Sequence, residues 1–415
     1  MDSLILHTGA GGVRITPGTN RRLRMFATMQ IAFSFVLLTG AGMLLATLVA
    51  LQSAETGYRN MRQVLAFDIP PAATGAPTAN AMDFFREATR RVSQVPGVEG
   101  VTAGTVVPWR DAGLFGGGTR FAVEGYKPAD GEEDPAARLR VVGSRFFAVL
   151  GVPVIAGREF TDDDDQRGEP VSIVSQSVAQ RLFPNGDALN RHMWWTDPYF
   201  GKPLPRRIVG VVADVDDESV IPQPVMTIYM PVRQIRYAGR LFVRAAGDPY
   251  AVVPAVTRIV REISSEQPVE RAATLADVRA EMLSPERLNA FVFSGFAGIA
   301  MLIAVVGVAG VLAFSVSART REFGVRLAVG SGPRQLLARV LGEGVRIAAI
   351  GIAAGAAGGY ALAHAAARVV QHVELPGMLP VVGAAVVLIG AALVASLMPA
   401  ARASRVDVVQ ALRSD

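Results

Sequence analysis

Cysteine is absent from this chain of 415 residues. That excludes disulfide cross-links, thiol catalysis and thiolate-held metals, and it leaves the redox compartment unread. Lysine is almost missing too: Lys127 and Lys202 stand alone among many arginines. We read the arginine and alanine richness as genomic base bias. Histidine is scarce, and His192 has neither a second histidine nor a carboxylate at ligand spacing, so no metal site is expected. No phosphate-cradling Gly-x-x-x-x-Gly-Lys-Ser/Thr loop occurs; the pair Gly201-Lys202 runs straight into proline. Gly-x-Ser-x-Gly and His-Glu-x-x-His are missing as well. No catalytic residue and no cofactor is therefore expected. The sequence pI of about 9.8 suggests nucleic acid at first sight. Over residues 52–288, however, acids slightly outnumber bases, so the basic excess belongs to the flanking segments. A nucleic-acid binder carries its basic patch on the folded domain, so no nucleic-acid partner is expected.

What the chain has is four long apolar runs: Phe26–Leu51, Ala290–Val316, Val345–Val370 and Pro380–Met398. Each suffices for a membrane-crossing helix of about 20 residues. The first is too long for the roughly 7–15-residue core of a cleaved signal, so it reads as a retained anchor. The expected fold is a membrane protein. Four transmembrane helices carry a large α+β extracytoplasmic domain of two subdomains, inserted between helices 1 and 2. Arginines cluster before the first run (Arg21, Arg22, Arg24), after the second (Arg319, Arg321, Arg326, Arg334, Arg339, Arg346) and after the fourth (Arg402, Arg405, Arg413). The link between the third and fourth, with Arg368, His372 and Glu374, shows little positive bias. The positive-inside rule then puts both termini in the cytoplasm of a multi-pass cell-membrane protein. The expected parts are an N-terminal tail at 1–25, spans at 26–51, 290–316, 345–370 and 380–398, an outer domain at 52–288, a cytoplasmic loop at 317–344 and a C-terminal tail at 400–415. Within the outer domain we expect a β-α-β subdomain (60–110 plus 225–285) and a β-rich insert (116–215).

The spans carry no convincing mid-membrane charge for an ion relay, and His364 reads as an interfacial or packed residue. The third span repeats small residues at Gly351, Gly355 and Gly359, which clears one helix face for close approach by another helix. In the outer domain, strands are expected at Val64–Ile69, Val98–Val106, Phe121–Glu124, Val171–Val174, Arg207–Val212, Leu241–Arg244 and Ala272–Leu275. Helices are expected at Ala81–Val95 and Tyr250–Ile263. The acidic run Asp162–Asp165 lacks the alternating ligands and glycine of a calcium loop and reads as a solvated turn or helix start. An aromatic loop with Trp194, Trp195, Tyr199 and Phe200 is either a contact for a substrate, partner or membrane surface, or a hairpin packed on its own domain.

The loop after the second span is the sharpest local signal. Arginines lie on one side and Phe323, Val325 and Leu327 on the other, then Ser331 or Gly332 caps a helix with Pro333 in its first turn, whose Leu336, Leu337, Val340 and Leu341 form one stripe. A basic amphipathic element at a membrane face either lies on anionic lipid or docks into a partner's groove.

At these residues the chain resembles the FtsX/MacB-type ABC transporter permeases. The motif is carried by Arg321, Glu322, Phe323, Gly324, Val325, Arg326, Ala328, Gly330 and Ser331, with Glu343 at the later acidic position. The closing segment Pro399-Ala-Ala-Arg402-Ala403, Asp407 and Ala411-Leu412-Arg413 is similar to the family's, with Val408 in place of its proline. Phe147 to Pro153, Gly157-Arg158-Glu-Phe160, Leu182-Phe183-Pro184, Ile208–Val212 and Tyr229-Met230-Pro231 extend the likeness through the outer domain, where Asn190 stands at a customary glycine. The chain looks like one half of the duplicated permeases, and residues 1–20 look like a connecting segment. The resemblance implies an ABC ATPase on a separate subunit, docked at Arg319, Arg321, Glu322, Arg326, Leu336, Leu337, Val340 and Glu343. It also implies a homodimer or a heterodimer with a related permease, a periplasmic adaptor, and motion passed through spans one and two to the outer domain for export or extraction of an amphiphile. The alternative it carries is an FtsX-like extracytoplasmic sensor or activator of a cell-envelope partner.

Overall fold

The computed structural model describes residues 17–69, 78–113, 118–184, 186, 188–265, 267–329, 332–366 and 377–404. In chain order these form α1 (Pro17–Ser53), β1 (Val64–Asp68), α2 (Thr78–Val92), β2 (Val98–Gly104), β3 (Thr119–Val123), β4 (Ala136–Val142), α3 (Phe146–Leu150), β5 (Val154–Gly157), β6 (Val171–Ser175), α4 (Gln176–Leu182), β7 (His192–Trp195), β8 (Arg206–Val212), β9 (Thr227–Pro231), α5 (Val232–Ile235), β10 (Arg240–Ala245), α6 (Val253–Ile263), β11 (Glu270–Thr274), α7 (Leu275–Met282), α8 (Ser284–Ala318), α9 (Thr320–Ala328), α10 (Pro333–Ala366) and α11 (Met378–Ser404). Two units emerge: residues 1–50 with 285–415, and residues 51–284.

In the outer unit β1, β10 and β2 form a ladder, with β11 on the far side of β1, all antiparallel. The crossover helix α2 therefore joins strands that flank β10, and α6 joins strands that flank β1. The two expected β-α-β units are thus interleaved, in the split β-α-β arrangement. Alternation along β1 explains why all of it is buried. Leu65 and Phe67 pack toward Phe85, Val92, Val256 and Val260 of α2 and α6. Val64 and Ala66 point the other way, toward Phe146, Phe147, Leu275 and Val278 of α3 and α7. A strand covered on both faces reads as an unbroken apolar run, which is how Val64–Phe67 reads.

The remaining strands extend this sheet. Gly104 pairs with Val142, which links β2 to β4. From there β4 pairs in parallel with β9, β6 pairs in parallel with β8, and β3, β7 and β8 run antiparallel. Asn190, at the customary glycine, has φ +64°. Asparagine tolerates this left-handed region better than other residues with a side chain, so the replacement keeps the turn. The turn before α7 is capped by Thr274, whose Oγ1 accepts the Asp277 amide at 3.1 Å.

In the other unit, four helices among the described residues are long and apolar enough to cross a membrane: Arg21–Ser53, Ser284–Ala318, Arg334–Ala365 and Met378–Ala401. Their shared core is built from small and aliphatic residues, including Ala27, Ile31, Phe35, Ala304, Val308, Ala348, Leu388 and Ala392. The structure carries helix α10 without a break from the amphipathic stretch that begins at Pro333 into the apolar run. The end of the expected third span (367–370), residues 1–16, and the tail from 405, including Arg405, Asp407 and Arg413, lie outside the described residues.

Candidate functional site

The candidate coupling element is α9 with the first turns of α10. Thr320 opens α9, its Oγ1 donating to the Ser317 carbonyl at 3.0 Å. Phe323 then folds inward onto Val316, Leu336, Val340 and Ala400, with Leu337 and Leu341 packed at the edge. Leu336 and Val340 are each only 3% exposed. This corrects their expected role as partner contacts: they anchor the element to its own bundle. The outward side instead carries Glu322, Val325, Val329, Arg334 and Arg339, with Val329 83% exposed. Glu322 and Arg326 form a half-exposed i,i+4 pair at 2.5 Å. The side chain of Arg321 lies outside the described residues.

Glu343 also turns inward. It pairs with Arg24 of α1 and stands 4.0 Å from Arg319. Since Arg24 opens the apolar part of α1 and Arg319 follows α8, these pairs gather the arginine-rich helix ends on one face of the bundle. Glu343 is thus a tie between helices.

The small-residue stripe finds its partner within the chain. A Cβ placed on Gly351 would lie 2.7 Å from Ile31 Cβ, and one on Gly355 would lie 2.7 Å from the Ala32 carbonyl oxygen. At Gly359 the nearest atom, Val36 Cγ2, is 3.6 Å away. The stripe thus receives α1. His364 stacks on Tyr360, with ring centroids 5.6 Å apart.

In the outer unit the aromatic loop divides. Trp195 is 5% exposed, stacks on Phe200 at 5.3 Å, meets Phe121 edge-on at 6.1 Å, and donates Nε1–H to Met230 Sδ at 3.4 Å. It belongs to the core, so at this residue the hairpin packed on its own domain is the expected reading that holds, and Trp195 is not a surface contact. Trp194 and Phe200 are half-buried. Tyr199, 90% exposed, is the member that faces solvent. The acidic run is also divided: Asp164 is buried and takes both nitrogens of the Arg158 fork, at 2.7 and 2.9 Å, which corrects the expected solvated turn at this residue. His192 does have a carboxylate neighbour, Glu124 at 3.0 Å. Among the described residues no cluster of three potential ligands forms.

Two buried ionic networks went unread in the sequence. Asp68 accepts from Arg271 at 2.8 Å and from Arg110 at 3.3 Å, and Asp111 accepts from Arg240 at 2.9 Å. Arg140 grips Asp217 through Nε (2.5 Å) and Nη2 (2.9 Å) and reaches Glu218 at 2.6 Å. Its neighbour Arg138 meets Asp216 at 2.9 Å. Burial opposes the charge on Arg140, but Asp217 and Glu218 outweigh it and push the guanidinium's pKa upward. Burial likewise opposes ionisation of Asp216. The amides of Ser219, Gln223 and Glu218, with Arg138, outweigh that and hold its carboxyl below the usual range. A signal was there: Arg138 and Arg140 are two apart on a strand, hence on one face, and Asp216-Asp217-Glu218 is a compact acidic run.

The chain matches the FtsX-like permease C-terminal family over residues 294–408 and the MacB-like periplasmic core domain over residues 28–274. It is 24% identical over 290 residues to the uncharacterized ABC transporter permease YknZ of Bacillus subtilis, covering 68% of this chain and 71% of that one. It is 26% identical over 284 residues to the pyoverdine export ATP-binding/permease protein PvdT of Pseudomonas savastanoi, covering 66% of this chain. The chain spans 42% of that relative's length. Among solved structures it is similar to the periplasmic region of MacB from Actinobacillus actinomycetemcomitans, with 14% identity, a TM-score of 0.37, and coverage of 55% of this chain and 95% of that one. The apolar helices, the domain set between the first two of them, and these two matches agree: the chain belongs to the ABC transporter permeases of the MacB/FtsX type.

Proposed function

We propose that this chain is the permease-like subunit of a complex in which a separate ABC ATPase docks on α9 and the start of α10. ATP-driven motion then passes through the membrane helices to the outer domain. The observation that carries this reading is the two-sided build of the coupling element. Phe323, Leu336 and Val340 fix it to the bundle, while Val325 and Val329 stay exposed beside Arg334 and Arg339. An element rigidly attached on one side and apolar-with-charge on the other suits a groove on a moving partner. The cargo that fits this scheme is an amphiphile handled outside the membrane, for export or extraction. The permease would work as a homodimer or with a related permease, with a periplasmic adaptor where an outer membrane exists.

The test is co-purification from native membranes, followed by Val329→Glu. A nucleotide-hydrolysing subunit is expected to accompany the wild-type chain and to be lost from the variant, with the thermal transition of the chain unchanged. Recovery of the same subunit at the same yield with Val329→Glu would refute docking at this face.

A further inference from the structure

Trp109 occupies a conformation that a bulky side chain ordinarily avoids. Its φ is +62°, and such strain, about 1–3 kcal/mol, persists only where the surroundings over-determine it. The residue is 4% exposed. Its backbone amide donates to the Asp217 carbonyl at 2.5 Å. Tyr58 meets the indole edge-to-face at 5.7 Å. The Arg279 guanidinium lies over the same indole, 5.1 Å from its centroid. That guanidinium in turn donates to the Ser219 and Val220 carbonyls at 3.1 and 2.9 Å.

The sequence positions of these partners carry the inference. Tyr58 lies just after α1, and Arg279 lies in α7, just before α8. These are the stretches that join the outer unit to the first and second apolar helices. Both stretches also tie to the same loop or to each other. The Asp216 amide donates to the Thr56 carbonyl at 3.2 Å, and the Ala276 amide donates to the Met61 carbonyl at 3.1 Å. Gly57 (φ +87°) lets the chain pass close to Val215: a Cβ there would lie 2.7 Å from Val215 Cγ1. Loop 214–220 is itself locked to β4 by Arg138 and Arg140.

We infer that Trp109 is a positioning residue that clamps the two membrane-proximal connections, through Tyr58 and Arg279, onto loop 214–220, so that both deliver their displacement to the sheet as one body. This rests on the ATP-driven reading above and names the place where that motion enters the outer domain. An edge-to-face aromatic contact and a guanidinium over the ring face resist rotation of one connection relative to the other. Arginine's fork on two carbonyls fixes its direction in a way lysine cannot.

The full chain lacks cysteine, so paired spin labels at Ile221→Cys and Glu281→Cys, both exposed, report the Arg279 arm of the clamp directly. Trp109→Gly removes the ring while suiting the left-handed backbone, and Arg279→Lys removes the fork while keeping the charge. In the parent background the label distance is expected to be narrow, with and without nucleotide. In both variants it is expected to broaden. In the complex with the co-purified ATPase, hydrolysis should continue. The nucleotide-dependent change in hydrogen exchange of the outer domain should fall about tenfold, the size of an ordinary coupling between sites. Trp109→Phe, which keeps the stack, should restore both readouts. Narrow distances together with intact exchange changes in Trp109→Gly and Arg279→Lys would overturn the clamp. If the parent complex hydrolyses ATP with no exchange change in the outer domain, the ATP-driven reading fails instead, and the label distances still decide the clamp.

Discussion

The outer domain and the membrane bundle solve the same packing problem with opposite materials. In the outer domain, strands buried on both faces supply large side chains such as Phe67, Phe242, Ile208 and Tyr229, and charged residues are buried in pairs. In the bundle the close contacts are glycines against backbone, as where Gly355 meets Ala32. Water makes the difference. In an aqueous domain, withdrawing apolar surface drives folding, so large side chains give the most. Between membrane helices that drive is missing, and stability comes from how closely backbones approach. The charges divide the same way. The outer unit buries Arg140 because two carboxylates meet it, whereas the bundle keeps its ionic pairs, Arg24–Glu343 and Arg319–Glu343, at the helix ends.

The largest effect is expected from breaking a buried pair. Arg140→Met keeps the bulk but leaves Asp217 and Glu218 only the longer contacts to Arg138, at 3.3 and 3.4 Å, at a cost of up to about 3–5 kcal/mol. Chemical denaturation of the purified chain, followed through the outer domain, measures it; a loss under about 1 kcal/mol would show that the network is open to water. Next comes Gly355→Ala, which pushes a methyl against the Ala32 carbonyl oxygen and should cost about 1–3 kcal/mol. Gly358→Ala, with nothing within 4 Å, is the control expected to change nothing. Equal melting temperatures for the two variants would refute the α1–α10 approach.

Acid sharpens the comparison further. The Asp216 carboxyl is held low, so its contribution is complete above the ordinary aspartate value of about 3.9 and is lost as pH falls through the lower folded value. Asp216→Asn should therefore narrow its stability gap to the parent as pH drops below that value, read by hydrogen exchange in loop 214–220. The smallest effect on stability is expected for Glu322→Gln with Arg326→Gln. A half-exposed pair contributes about 0.2–1 kcal/mol, yet the double variant should uncouple ATP hydrolysis from outer-domain motion. Unchanged transport would refute that assignment.

Much of the architecture was written locally. The four apolar runs are long enough to name themselves, and strands such as Val64–Asp68 and Arg206–Val212 are dense in β-branched and aromatic residues. What escaped depends on partners far along the chain. Nothing local says that β10 inserts between β1 and β2, because register is set by contacts roughly 140 to 180 residues apart. The stripe Gly351, Gly355 and Gly359 announces a close neighbour but not that the neighbour is α1. Leu336 and Val340 announce an apolar face, and only the fold shows that Phe323 and Ala400 cover it. Arg140 looks like any surface arginine until β4 carries it inside. Trp109 gave no signal, since a positive φ at tryptophan has no sequence signature.

The central claim is that the outer domain and the coupling element lie on opposite sides of one membrane. Single cysteines at Tyr199, in the outer domain, and Val329, on α9, are both highly exposed in an otherwise cysteine-free chain. A membrane-impermeant maleimide applied to intact cells, or to spheroplasts where an outer membrane intervenes, is expected to label Tyr199→Cys at once and Val329→Cys only after lysis. Labelling of Val329→Cys with Tyr199→Cys protected would contradict the account.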